Sequence, residues 1–241
     1  MDTPDGEDFK KKQTMNETET FYQTVHTCRP SYRNTNMGIL SICDWLDLIK
    51  DDRGEVHNPW TDKPISIVEL GCGNGKLCNL LSEMRMDVTG IDVTSVEHIY
   101  NRSGYKFIKQ DLADLPYPFD DNQFNYSVNF DVMEHLPEDK ISEILKETAR
   151  ITNRGIITKI ACSGSPPLHI TVKSPGWWLN QLIVNCPDFS WQLVRNYERI
   201  CQNIEGQEYF VEQTSDARPL MASAKITYAP LFYGKRGRIE N

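Results

Sequence analysis

Nothing in this 241-residue chain approaches the length of apolar run that spans a bilayer. The first residues, Met1-Asp2-Thr3-Pro4-Asp5-Gly6-Glu7-Asp8, are acidic and lack an apolar core, which argues against a secretory signal. The seven cysteines show no paired spacing and no C-x-x-C, so reduced thiols in a cytoplasmic protein are expected. A basic excess is missing too. Net charge is −8, whereas a protein that grips a phosphate backbone usually presents a basic surface, so a nucleic-acid partner is disfavoured. The one dense basic cluster, Lys235-Arg236-Gly237-Arg238, reads as a solvated tail. With 39% hydrophobic and 25% charged residues, the composition suits one sizeable soluble core and an appended piece.

What is present centres on Ile65 to Lys76. The apolar run Ile65–Leu70 ends in three glycines at alternate positions, Gly71, Gly73 and Gly75. Leu77, Leu80, Leu81 and Met84 then recur at helical spacing. This predicts a buried strand, a glycine turn and a helix whose first N–H groups face a ligand. A dinucleotide site wants G-x-G-x-x-G, but Lys76 stands where its third glycine would be. Asp92 ends a second predicted strand, Asp87–Asp92, 21 residues after Gly71. An acid there lies beside the glycine turn of a doubly wound sheet and can accept two ribose hydroxyls.

The string Val68-Glu69-Leu70-Gly71-Cys72-Gly73-Asn74-Gly75 resembles the first motif of the class I S-adenosylmethionine (SAM) dependent methyltransferases, closest to the small-molecule group that includes the ubiquinone-pathway enzymes. The resemblance runs from about Ile65 to Leu182. It implies an α/β fold: a doubly wound, mostly parallel seven-stranded sheet of Rossmann-like type with N-terminal helices. It implies SAM as cofactor, held by Glu69, Gly71, Cys72, Gly73, Asn74, Gly75, Asp92 and Val93. Asp111, after the third strand, is expected to accept from the adenine amino group, with the Leu112 N–H toward the ring. Asn129, Phe130 and Asp131, at the end of the fourth strand, are expected to face the sulfonium and the acceptor. The reaction needs the nucleophile held in line at roughly 3–3.5 Å and water kept out. A carboxylate touching the sulfonium would stabilise the starting state more than the transition state, so the acids are expected to lie away from sulfur.

For a hydroxyl acceptor, His135 and His169 are the candidate general bases. Together with Asp131 and Glu134 they also resemble the metal site of some ubiquinone-pathway and RNA 3′-end methyltransferases. Those usually carry Glu where this chain has Asp131, and the site is read without a metal. Three units are expected: a disordered tail over 1–16, a helical cap over 17–60 in which Tyr32 and Arg33 could close over the cofactor, and the methyltransferase domain over 61–241. Helices are expected over 17–28, 36–50, 138–151 and from Ser174, with a turn at Asn153-Arg154-Gly155 and a last strand from Lys225 whose Pro230 suits a sheet edge. The expected reaction is methylation of a hydroxyl or amine on a small molecule. RNA methylation, with or without a metal, and a non-catalytic regulatory partner are the rival readings.

Overall fold

The computed structural model describes residues 17–28, 36–58, 60–94, 104–164, 168–201, 208–212 and 225–236. The expected tail over 1–16 and the Tyr32–Arg33 connector lie outside them. One eight-stranded sheet organises the chain. Its strands are β1 (Ser66–Leu70), β2 (Asp87–Asp92), β3 (Lys106–Lys109), β4 (Phe124–Phe130), β5 (Thr152–Lys159), β6 (Phe189–Cys201), β7 (Glu208–Glu212) and β8 (Lys225–Arg236). The order across the sheet is β3-β2-β1-β4-β5-β8-β6-β7. The first five run parallel. The remaining neighbours pair antiparallel. The expected seven-stranded sheet is therefore present, and β7 adds an eighth strand at one edge.

Helix α1 (Glu17–Cys28), two single helical turns, α2 (Met37–Leu40) and α3 (Ile42–Trp45), and a 3-10 turn at Leu46–Leu48 precede the sheet. The long helix expected over 36–50 is thus broken into short pieces. Trp45 and Ile49 are still fully buried, and the Trp45 ring lies 5.1 Å from that of Phe130, whereas Leu40 and Cys43 of the expected face are exposed. The crossover helices are α4 (Lys76–Glu83), α5 (Glu138–Ile151) and α6 (Pro175–Asn185). In α5 the predicted stripe Ile141, Ile144, Leu145, Thr148 and Ala149 is the buried face. Burying side chains such as Ile144 and Leu145 contributes roughly 1.5–3 kcal/mol each. Ser174 caps α6 by accepting from the Trp177 N–H at 3.2 Å, with Pro175 following at the first helical position.

Two expectations fail for physical reasons. Asn153-Arg154-Gly155 is not a turn but part of β5, which follows α5 without a break. A side chain at Gly155 would collide with the rings of Tyr126 and Tyr233, at 2.7–2.9 Å, so this glycine serves close packing. Strand β8 is not an edge strand, since it lies between β5 and β6. Pro230 tolerates this because it stands one residue before Leu231, the first residue of β8 paired with β5, and pairs only with Asn196 of β6.

Candidate active site

The strand order reverses direction between β1 and β4, and in such sheets the crevice at the carboxyl ends of those two strands is where ligands bind. The glycine turn leaves β1 at that place. Gly71, Gly73 and Gly75 all have positive φ, at 75°, 52° and 73°, which side-chain-bearing residues adopt at a cost. The turn is pinned to β2 by the Gly71 and Cys72 N–H groups, which donate to the Ile91 carbonyl at 2.8 and 3.1 Å. Val132, from the loop after β4, presses on Gly71 so closely that a Cβ there would meet it at 2.6 Å.

Asp92 sits against this turn. Its Oδ2 accepts from the Gly73 N–H at 2.8 Å, and its Oδ1 accepts from the N–H and hydroxyl of Thr94, both at 2.8 Å. A carboxylate offers about four acceptor positions, so Asp92 retains capacity for a further donor. Thr94, fully buried, is a site residue that sequence reasoning missed. The D-x-T spacing, in which an Asp side chain turns back on the chain two residues later, was its available signal.

Glu69 is buried below the turn and accepts from the Cys78 thiol at 2.9 Å. Burial pushes its carboxyl up to about 8. Neighbouring Asn36 bonds it too, so Glu69 ties β1, α4 and the N-terminal segment together. Cys72 is buried, as is Cys78, so the Cys72 side chain belongs to the core. Asn74 accepts from the Lys76 N–H at 3.0 Å and shapes the start of α4.

The remaining expected cofactor residues divide. Val93 is half-buried beside Asp92. Asp111, at the exit of β3, accepts from the Ala113 N–H at 3.0 Å, the local turn its residue type favours. The Leu112 side chain is core. Asn129 and Phe130 lie deeper than expected. Asn129 is fully buried and accepts from the Thr158 hydroxyl on β5, while its Nδ2 lacks a partner. Phe130 packs with Trp45 and under α2. The residues past the strand end, Asp131 to His135, are the ones that reach the crevice. Asp131 adopts φ 55°, an uncommon conformation for a non-glycine residue and one that recurs at functional sites.

His135 and His169 meet there although 34 residues separate them in sequence. Their ring centroids are 4.8 Å apart. Each Nδ1 faces a backbone carbonyl, Leu168 at 2.9 Å for His135 and Ser163 at 2.6 Å for His169. Those contacts orient both rings through Nδ1 and leave each Nε2 as the other ring position. Burial, reinforced by His169, pulls His135 down to about 4, so it is neutral at physiological pH. Glu134 is fully buried. Its Oε1 accepts from the Ala161 N–H at 3.2 Å and its Oε2 lacks a hydrogen-bond partner. Burial, with Asp131 next, raises its carboxyl well above the usual range. Ligand atoms of Glu134, His135 and His169 all lie within 4.8 Å of one another.

Tyr22, on α1, also reaches this cluster and was not anticipated. Its ring centroid is 6.0 Å from that of His135. Trp178 is wholly core, while Trp177 is half-buried on it at 4.9 Å.

Residues 67–155 match the family model described as a methyltransferase domain. Among solved structures, the chain is similar to the magnesium protoporphyrin IX methyltransferase of Synechocystis PCC 6803, with 16% identity, coverage of 91% of this chain and 98% of that one, and a TM-score of 0.58. It is similar to the 1,6-didemethyltoxoflavin-N1-methyltransferase of Burkholderia thailandensis, at 13% identity, 90% and 86% coverage and a TM-score of 0.56. A Haloferax volcanii chain solved with the Trm112 methyltransferase activator gives 13%, 93% and 98%, and 0.57. At these identities the likeness speaks for the fold. No curated protein matches the chain. Residues 67–155 thus carry a methyltransferase domain, and with the fold and the glycine turn this match supports a class I SAM-dependent methyltransferase whose cofactor is SAM. Its place in the ubiquinone-pathway group rests on the sequence resemblance alone.

Proposed function

We propose that this methyltransferase acts on a hydroxyl or amine of a small molecule held beside His135 and His169, as a cytoplasmic enzyme. SAM brings a methyl group already activated for transfer. Asp92, Val93 and the turn Gly71–Gly75 would hold its ribose and amino-acid portions, and Asp111 with Leu112 the adenine. Asp92 fits that role by its position on the Gly73 N–H and its remaining acceptor capacity. Glu69, packed below the turn, supports it from beneath rather than touching the cofactor.

The single observation that carries the reading is the pair of imidazoles aligned at the switch point of the sheet, each anchored through Nδ1. A neutral imidazole so oriented can accept a proton at Nε2 from an acceptor hydroxyl. Isothermal titration with SAM and with S-adenosylhomocysteine tests the cofactor half. Transfer of labelled methyl from SAM to panels of small hydroxyl and amine compounds, with RNA as the competing panel, tests the acceptor half. Labelling of RNA alone would overturn the small-molecule reading.

A metal-assisted version has its own support. A buried carboxylate oxygen without a partner, two imidazole nitrogens and ligand atoms within 4.8 Å form a donor set that suits a divalent transition ion. The backbone carbonyls at Nδ1 are the outer contacts that metal-bound histidines commonly have. Such an ion would orient an acceptor hydroxyl and lower its pKa. Equilibrium dialysis with Mn²⁺ or Zn²⁺ should show one site lost in Glu134→Gln, and no binding by the native protein would remove this version.

A further inference from the structure

We propose that Tyr22 is a positioning residue of the methyl-transfer site, joining its cofactor side to its acceptor side from above. The inference deepens the proposed function and rests on the cofactor assignment made there. Helix α1 precedes the sheet by nearly forty residues, yet it is fixed at the carboxyl edge by two kinds of contact. Glu19 pairs with Lys109, at the end of β3, at 2.5 Å. One turn on, Tyr22 meets His135 edge to face, and Val25 on the same helical face is buried.

The surroundings of the phenol are unusual. Its acidic neighbours are Glu134, Asp92 and Asp111, which come from the loop after β4 and the ends of β2 and β3. A phenol is protonated at neutral pH, so the Tyr22 hydroxyl is available as a donor. The three acids belong to the ribose subsite, the adenine subsite and the histidine cluster. Resting on His135, on a helix tied to the end of β3, Tyr22 stands between the histidine cluster and the adenine side, where acceptor and cofactor have to meet. The ring does a second job. Leu168 fixes His135 at Nδ1, and the edge of Tyr22 limits rotation about that contact, so that Nε2 keeps one direction. Phe21, 5.1 Å away and nearly perpendicular, backs the Tyr22 ring.

Tyr22→Phe removes the hydroxyl and keeps the ring, whereas Tyr22→Ala removes both. S-adenosylhomocysteine affinity, measured by titration, is expected to fall about fivefold in Tyr22→Phe, the worth of one hydrogen bond. A larger loss, of about twentyfold or more, is expected in Tyr22→Ala, with faster release in stopped flow. The His135 Hε1 resonance should shift in Tyr22→Ala and stay in place in Tyr22→Phe, a split that a purely structural loss would not give. Glu19→Gln, which loosens α1 without touching the crevice, should also speed release. Affinity within twofold of the native protein in Tyr22→Phe overturns the hydroxyl role, and this variant decides alone if Tyr22→Ala fails to fold. No binding by the native protein would instead overturn the cofactor assignment itself.

Discussion

The two edges of the parallel sheet treat charge in opposite ways. At the amino edge, acids face arginines: Asp51 and Asp62 with Arg53, Asp121 and Glu147 with Arg150, Asp52 with Arg154, Asp188 with Arg236. At the carboxyl edge, the acids around the glycine turn and the histidine pair are met by main-chain amides, a hydroxyl, a thiol and the Asn36 side chain. Asp92 takes two N–H groups and a hydroxyl, Glu69 takes Cys78, and Glu134 takes one N–H. A guanidinium satisfies a carboxylate in a fixed fork and holds the loops together. An amide takes up one acceptor position and leaves others for a ligand. The arginine-paired acids hold the chain, whereas Asp92 keeps acceptor capacity for a ligand.

That contrast can be broken by substitution. The largest effect is expected from Asp92→Ala, which removes the acid on the glycine turn and leaves the Gly73 N–H without its acceptor. Affinity for S-adenosylhomocysteine should fall by about 100-fold, as hydrogen bonds to a charged group contribute about 1.5–3 kcal/mol each. A change under threefold by titration would move the cofactor away from Asp92. Next in size is Gly71→Ala, which forces a positive φ on alanine and drives a Cβ into Val132. Strain and overpacking together should cost about 2–4 kcal/mol, seen as a drop of several degrees in melting temperature.

Glu69→Gln sharpens the comparison through pH. The folded-state carboxyl is pushed up to about 8, above its unfolded value near 4.3. Between those values the folded protein holds a proton that the unfolded chain has lost, so stability contributed by this group declines as pH rises and levels off beyond 8. The advantage of native protein over Glu69→Gln should therefore shrink from pH 5 to pH 8, at about 1.4 kcal/mol per unit. Urea unfolding of both proteins across that range measures it, and a constant difference would mean that Glu69 is ionised when folded. The smallest effect belongs to the amino edge. Arg154→Ala loses a largely solvent-facing pair with Asp52 and a bond to the Lys50 carbonyl. Chemical denaturation should register less than about 1 kcal/mol, with cofactor affinity unchanged.

Much of the carboxyl edge was legible in the sequence because its signals are local. The glycine triplet, Asp92 closing β2 and the Ser174-Pro175 start of α6 each announce themselves within a few residues. The α5 stripe was equally clear, since its period is helical and unbroken. What failed was non-local. Gly155 looks like a turn residue until the Tyr126 and Tyr233 rings, from two other strands, are packed against it. Of the three residues expected at the end of β4, Asn129 and Phe130 follow the strand into the core, and Asp131, in its left-handed conformation, turns the chain out toward the crevice. The meeting of His135 with His169 depends on the loop after β5 folding back, where the N–H groups of Ile170 and Thr171 both reach the Glu134 carbonyl at 3.0 Å. Tyr22 arrives from a helix whose sequence carries no mark of its destination.

A crystal structure grown with S-adenosylhomocysteine tests the central claim most directly. The nucleoside is expected across the Gly71–Gly75 turn, with its ribose hydroxyls on Asp92 and its sulfur facing the His135–His169 pair. Density for the ligand at any other surface, or a crevice left without it at saturating ligand, would contradict the account.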